Sequence, residues 1–230
     1  MSYDNQSALV IGAGISGFAA ARYLAAAGAR VTLSDAKDEA DAEKDALTQK
    51  HIEDLRTQGI SCVFGAQREE LLDGIDLIVL SPAVPERIPL VRAARARGIR
   101  VTTEVELAGE IARAPIYAIT GTNGKTTTTT LLGELLRAHF PAVGVGGNIG
   151  VPLIDVAQEI PADGAIAAEI SSYQMEATTH FHPAVAAELN VTPDHIVRHG
   201  SMEVYQAMKE RLFREMATGD WLVLNYDDER

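Results

Sequence analysis

The sequence predicts an α/β fold built on parallel sheets, and three observations carry that prediction. Short runs rich in Val, Ile, Leu and Ala alternate with helical stretches along the 230 residues, the order expected of a sheet covered on both faces. Glycine-rich turns stand twice between such a run and a helix. Hydrophobic residues make up 47% of the chain against 5% aromatics, and runs such as "AAARYLAAAGA" suit helices packed close against a sheet.

The elements follow in order. "SALVIG" reads as a buried strand, "SGFAAARYLAAAG" as a helix closed by Gly28, and "RVTLSD" as a second strand. "EADAEKDALTQKHIEDLRTQG" is charged and helical. Then come the strand "ISCVFG", the helical "REELLDG", the strand "DLIVLSP", the helix "PLVRAARARG" and the strand "RVTT". The helical "EVELAGEIAR" leads to Pro115, and we expect a domain boundary there, giving domains 1–113 and 114–230. A second series opens with "IYAIT" and continues through "AVGVGG", "GAIAAEIS", "PAVAAELN", the helix "EVYQAMKERLFREM" and the strand "WLVLN" before a "DDER" tail. A βα domain normally continues with a helix over such a strand, so the second domain is expected to be incomplete.

Bulk properties exclude several classes. A net charge of −12 argues against a nucleic-acid or anionic-membrane surface. Any phosphate must therefore be held by local geometry. The single cysteine, Cys62, forms no internal disulfide and sits in an apolar run, so it reads as strand filler in a reducing, cytoplasmic setting. Neither a secretory leader nor an apolar stretch near the ~20 residues of a membrane span is visible.

The segment "AITGTNGKTTTTTLLGELL" carries the strongest chemical signal. A strand, a glycine turn and a helix start aim backbone N–H groups at one point, the geometry of an anion nest. Gly121 and Gly124 let the backbone approach a phosphate oxygen, Lys125 supplies a point charge, and the Thr126 hydroxyl stands where such loops hold Mg²⁺. The spacing is shorter than G-x-x-x-x-G-K-[ST], since Ile119 stands five residues before Gly124. A glycine turn before an ordinary helix is the plain alternative.

Other candidates sit at strand ends. Glu169 in "AAEISS" lies across from Thr126 and suits a hard cation such as Mg²⁺, or is a solvated acid. Asp194 and His195 follow "AAELNV"; a lone histidine there is either structural or a ligand. Lys209 lies four residues after Tyr205 on one helix side, or is a surface lysine. Gly12-Ala-Gly14-Ile-Ser-Gly17 after the first strand, with Asp35 ending the next, matches a dinucleotide fingerprint, so an NAD- or flavin-dependent oxidoreductase competes as a reading. The second phosphate loop weighs against it.

"ITGTNGKTTTT", together with "GGNIGVPL", "AEISSYQME" and "LNVTPDHIVRHGSMEVYQAMK", resembles the Mur ligase family, the ATP-dependent amide-forming enzymes of peptidoglycan precursor synthesis. "VIGAGISGFAAARYLAAAGARVTLSD" and "LSPAVPERIPLVRAARARGIRVTTEVELA" are similar to its D-glutamate-adding branch. The resemblance implies a Rossmann-like UDP-sugar domain followed by a central ATP domain. It implies ligation of D-glutamate to UDP-N-acetylmuramoyl-L-alanine through an acyl phosphate. ATP would bind at Gly121, Thr122, Asn123, Gly124, Lys125, Thr126 and Thr127, with Lys125, His195 and Lys209 catalytic. Two Mg²⁺ ions would engage Thr126, Glu169, His195 and Lys209, the last carbamylated by CO₂. Gly14, Ile15, Ser16, Asp35 and Lys37 would meet the uridine diphosphate end, and Ser81 and Asn148 the pyrophosphate and sugar. His182 and His199 have no counterpart and read as surface residues.

Where the family pattern has Ser-Pro-Gly, this chain has Ser-Pro-Ala with Ala83. A positive φ there would strain the alanine. The family's amino-acid-binding third domain has no counterpart in these residues, so the chain by itself is expected not to complete the ligation. A non-catalytic UDP-sugar-binding remnant is the alternative.

Overall fold

The computed structural model describes residues 2–42 and 44–228. The last two residues of the "DDER" tail and one residue of the charged helical run lie outside the described residues. The chain divides into two compact units, Met1–Glu104 and Val105–Arg230.

The first unit is a Rossmann-like sheet. Its strands are β1 (Ser7–Ile11), β2 (Arg30–Asp35), β3 (Ser61–Phe64), β4 (Leu77–Leu80) and β5 (Arg100–Thr103). They pair in the order β3-β2-β1-β4-β5, every pairing parallel. β1 is buried along its whole length, as expected of an apolar strand covered on both faces. Between the strands run α1 (Ile15–Ala26), α2 (Glu39–Ala42), α3 (Ala46–Thr57) and α4 (Pro89–Ala96).

Two local expectations change. The charged stretch after β2 forms two helices rather than one. Asp45 restarts the chain as N-cap of α3, accepting from the Thr48 N–H at 2.8 Å and the Thr48 hydroxyl at 2.7 Å. "REELLDG" forms only a 3₁₀ segment, Glu69–Leu72. Cys62 lies half-buried in β3, where burial pushes its thiol pKa up.

In the second unit, β6 (Ile116–Thr120), β7 (Val143–Gly147), β8 (Ala165–Glu169), β9 (Val185–Glu188) and β10 (Trp221–Leu224) pair in the order β10-β9-β6-β8-β7, again all parallel. Its helices are α5 (Glu104–Ile111), α6 (Lys125–Arg137), α7 (Leu153–Glu159), α8 (Ile196–His199) and α9 (Met202–Glu210). α9 ends earlier than its sequence suggests, tightening into a 3₁₀ turn, Arg211–Phe213.

The division at Glu104/Val105 places almost all of α5 in the second unit, whereas the sequence expectation ends the first domain at residue 113. The reason is local. The Glu106 carboxylate accepts from the Thr179 N–H (2.7 Å), the Thr179 hydroxyl (2.9 Å) and the His180 N–H (2.8 Å). Gly109 lies so close to the Phe181 ring that an added Cβ would stand 2.8 Å from it.

The helices α7 and α8 have no counterpart among the expected elements. Among the described residues the non-glycine positions with positive φ are Asn5 and His195, so Ala83 carries no left-handed strain. No described helix is long and apolar enough to cross a membrane.

Candidate functional site

The phosphate loop is built as its glycines require. Gly121 adopts φ 147°, and an added Cβ would stand 3.1 Å from the Leu189 Cβ. Gly124 adopts φ 82° and forms the N-cap of α6 with no side-chain cap, so the amide end of the helix is uncapped by side chains. The turn is tied to the loop after β9. The Thr122 N–H donates to the Asn190 carbonyl (2.8 Å) and the Asn123 N–H to the Asn190 side-chain carbonyl (2.8 Å). The Thr122 hydroxyl receives the Thr192 N–H at 3.0 Å and lies 3.1 Å from the Tyr205 hydroxyl.

Lys125 folds back over this turn. Its ammonium donates to the carbonyls of Gly121 (2.9 Å) and Thr122 (2.8 Å). Lys209 is not the surface lysine of the plain alternative: it is 1% exposed, and its ammonium donates to the same Gly121 carbonyl at 2.6 Å. The ammonium also lies 4.7 Å from the centre of the Tyr205 ring. Burial first, and the neighbouring Lys125 charge second, lower the Lys209 pKa to about 8.

Beside the loop, Thr126 donates its hydroxyl to Glu169 at 2.8 Å, and the Asn148 amide donates to the other Glu169 oxygen at 2.7 Å. Glu169 is 1% exposed. It is a buried strand-end carboxylate, not a solvated one. Thr127 is exposed on the first turn of α6.

His195 sits in a second cluster that Tyr205 connects to the loop. Its ring lies 4.8 Å from Tyr173 and 6.2 Å from Tyr205, and its Nδ1 is 3.2 Å from the Tyr173 hydroxyl. His199 corrects the surface reading. The short helix α8 turns it inward, 8% exposed, with Nε2 3.0 Å from the Ser172 hydroxyl and Nδ1 3.8 Å from Glu176. Burial lowers its pKa and favours the neutral ring. Ser172, His199 and Glu176 stand in the order of a nucleophilic triad, but Ser172 is only 2% exposed. Glu176 is engaged by Arg198 through bonds of 2.7 and 2.9 Å. The group is a brace. His182 stays on the surface, bonded to Asp220 at 2.6 Å.

Sequence reasoning missed Glu188, Asn190, Thr192, Tyr173 and Arg198. Burial raises the Glu188 pKa to about 7, and Lys209 partly offsets that rise. Apolar spacing shows only that "PAVAAELN" is a strand, whereas the Glu188 environment depends on an element about twenty residues further on.

In the first unit the glycine fingerprint and Ser81 meet where the strand order reverses between β1 and β4, the usual ligand crevice of such sheets. An added Cβ at Gly12 would stand 2.6 Å from the Ser81 Cβ, and one at Gly14 3.6 Å from its hydroxyl. Ile15 and Ser16 open α1, the first exposed and the second half-buried. Asp35 accepts from the Ala13 N–H at 2.7 Å and the Lys37 N–H at 2.9 Å, so it shapes the glycine turn itself. Asn148 belongs to the second unit.

Among the described residues no three His, Cys, Asp or Glu side chains converge as a metal cage. Thr126 and Glu169 nevertheless form an oxygen donor pair, which suits Mg²⁺, an ion that keeps several waters.

Two domain families match the chain: the MurD-like N-terminal domain of Mur ligases over residues 6–103 and the Mur ligase middle domain over residues 119–230. The chain is 46% identical over 226 residues to the UDP-N-acetylmuramoylalanine--D-glutamate ligase of Pelotomaculum thermopropionicum, covering 98% of this chain and 48% of that protein. It is 44% identical to the enzyme of the same name from Koribacter versatilis, covering 100% of this chain and 49% of the relative. The chain thus spans about half the length of the curated relatives it matches. Among solved structures, the UDP-N-acetylmuramate:L-alanyl-gamma-D-glutamyl-meso-diaminopimelate ligase from Neisseria meningitides matches with TM-score 0.63 at 20% identity, over 97% of this chain and 72% of that one. The MurC ligase of Thermotoga maritima matches with TM-score 0.57 at 22% identity, over 97% and 50%. These two likenesses speak to the fold.

Proposed function

Because the chain belongs to the Mur ligase family, we propose that it supplies the UDP-sugar-binding and ATP-binding parts of a ligase that joins D-glutamate to UDP-N-acetylmuramoyl-L-alanine. The first unit takes the UDP end at Gly14, Ile15, Ser16, Asp35, Lys37 and Ser81. The second unit takes ATP along Gly121–Thr127. The observation that carries this reading is the phosphate loop: an α6 N-terminus with no side-chain cap, a lysine parked on the loop's own carbonyls, and the Thr126–Glu169 oxygen pair beside it. One reducing-compartment cysteine and the need for ATP support a cytoplasmic setting.

In the reaction, the substrate carboxylate attacks the γ-phosphorus and ADP leaves. The amine of D-glutamate then displaces phosphate from the acyl phosphate. Lys125 leaves the Gly121 and Thr122 carbonyls for the β- and γ-phosphate oxygens, and the loop amides hold the same charge in fixed dipoles. Thr126 and Glu169 would hold Mg²⁺, which neutralises charge on the transferring phosphoryl group. A second ion at His195 and Lys209 belongs to the same reading.

Carbamylation of Lys209 is supported by its lowered pKa of about 8. CO₂ adds to the neutral amine, the N–C bond forms as the amine proton leaves, and a larger neutral fraction favours that step. ¹³C-bicarbonate NMR of the chain should show the carbamate carbon, and Lys209→Gln should remove it.

The main test is calorimetry with Mg-ATP on the 230-residue chain and its Lys125→Ala variant. Binding by the former and a loss of at least tenfold in the latter are expected. Equal affinities would sink the nucleotide reading.

A further inference from the structure

His195 has a left-handed backbone, φ 53°, ψ 22°, uncommon outside glycine although histidine is among the residues that enter it more readily. Asp194 supplies one constraint by accepting the His195 N–H at 2.8 Å. The ring is held separately, by Tyr173.

Tyr173 is itself unusually well fixed for a half-buried residue. The Arg198 guanidinium lies 4.8 Å from its ring centre, and that guanidinium is bound at two points to Glu176. The Arg198 and Glu176 side chains are only 13% and 12% exposed. His199 packs against the Tyr173 ring at 5.5 Å and is anchored to Ser172. The Tyr173 hydroxyl ends this chain of contacts, 3.2 Å from the His195 Nδ1.

We infer that Tyr173 is the positioning residue for His195: its hydroxyl, bonded to Nδ1, sets the tautomer and ring angle of the imidazole next to the phosphate loop. The functional meaning of this rests on the His195 assignment above. Asp194 only accepts, and its carboxylate lies 3.5 Å from Nε2, so it favours the proton on Nε2, which leaves Nδ1 to accept from the Tyr173 hydroxyl 3.2 Å away. When Nε2 must offer its lone pair, the proton moves to Nδ1, and the same hydroxyl turns to accept it. A tyrosine satisfies Nδ1 in both states; phenylalanine satisfies it in neither. His195 also meets the Tyr205 ring at 6.2 Å, and the Tyr205 hydroxyl lies 3.1 Å from that of Thr122 in the loop.

The test is long-range ¹H–¹⁵N NMR of the ¹⁵N-histidine-labelled chain, comparing wild type with Tyr173→Phe. That variant keeps the ring under Arg198 and removes only the hydroxyl. The Nδ1 and Nε2 resonances of His195 are expected to move, with Nδ1 shifting toward an acceptor lacking a hydrogen bond, while those of His182 stay in place. Unchanged His195 resonances overturn the inference. So does a shift shared equally by His182, because the hydroxyl would then be supporting the fold and not the ring. The measurement needs no nucleotide, so it fails or succeeds independently of the Lys125→Ala calorimetry.

Discussion

Two ammonium groups share the Gly121 carbonyl oxygen, Lys125 at 2.9 Å and Lys209 at 2.6 Å. The Lys125 charge, second to burial, raises the cost of ionising Lys209. The site is thereby loaded toward an anion, which would draw Lys125 away from the carbonyl. Lys125→Ala should accordingly raise the Lys209 pKa from about 8 toward its ordinary value of 10.5, though not fully, because burial is the larger cause. A pH titration of the labelled lysine by NMR reads this directly; an unmoved pKa would show that the two charges do not interact.

Glu188 gives a pH dependence of the same origin and opposite direction. Its folded pKa of about 7 lies above the ordinary 4.5 because burial penalises the carboxylate. Between those values the folded chain binds more protons than the unfolded one. Stability contributed by the protonated group is thus present below about 4.5 and lost as pH rises through 7. Urea denaturation across that window should show falling stability for wild type and a flatter profile for Glu188→Gln.

At the scale of single elements, α6 answers why a helix carries five threonines straight after its first lysine. Thr126 reaches Glu169, and Thr130 bonds back to the Thr126 carbonyl at 2.8 Å, so poor intrinsic propensity is exchanged for local bonds. The start of α1 shows the reverse case, where an intrinsically better residue should fail. Ala at Gly17 would gain ~1 kcal/mol of helix propensity, but its Cβ would stand 2.0 Å from the Gly12 carbonyl oxygen. Backbone on backbone cannot yield cheaply, and overpacking of this kind costs about 1–3 kcal/mol or more. Gly17→Ala should therefore lower the urea midpoint of the first unit; an unchanged or raised midpoint would show the turn to be slacker than its geometry.

At the scale of the whole molecule, two parallel sheets with separate cores predict separable responses to ligand. Mg-ATP at a hundredfold excess over its dissociation constant would add about 2.7 kcal/mol to whatever unit binds it. Hydrogen exchange should slow in β6, α6 and β9, while β1 to β3 keep their rates; uniform protection of both units would contradict the assignment of nucleotide to the second. The chain itself was sufficient to announce the α/β class, the ten strands of the described residues and the glycine loop, because strand burial and turn conformation are written in short-range residue types. Only tertiary structure buried Lys209, turned His199 inward, moved α5 into the second unit and brought Tyr173 to His195. Those facts depend on side chains meeting across tens of residues, where the balance of desolvation against partners is set by packing and leaves no periodic trace in the sequence.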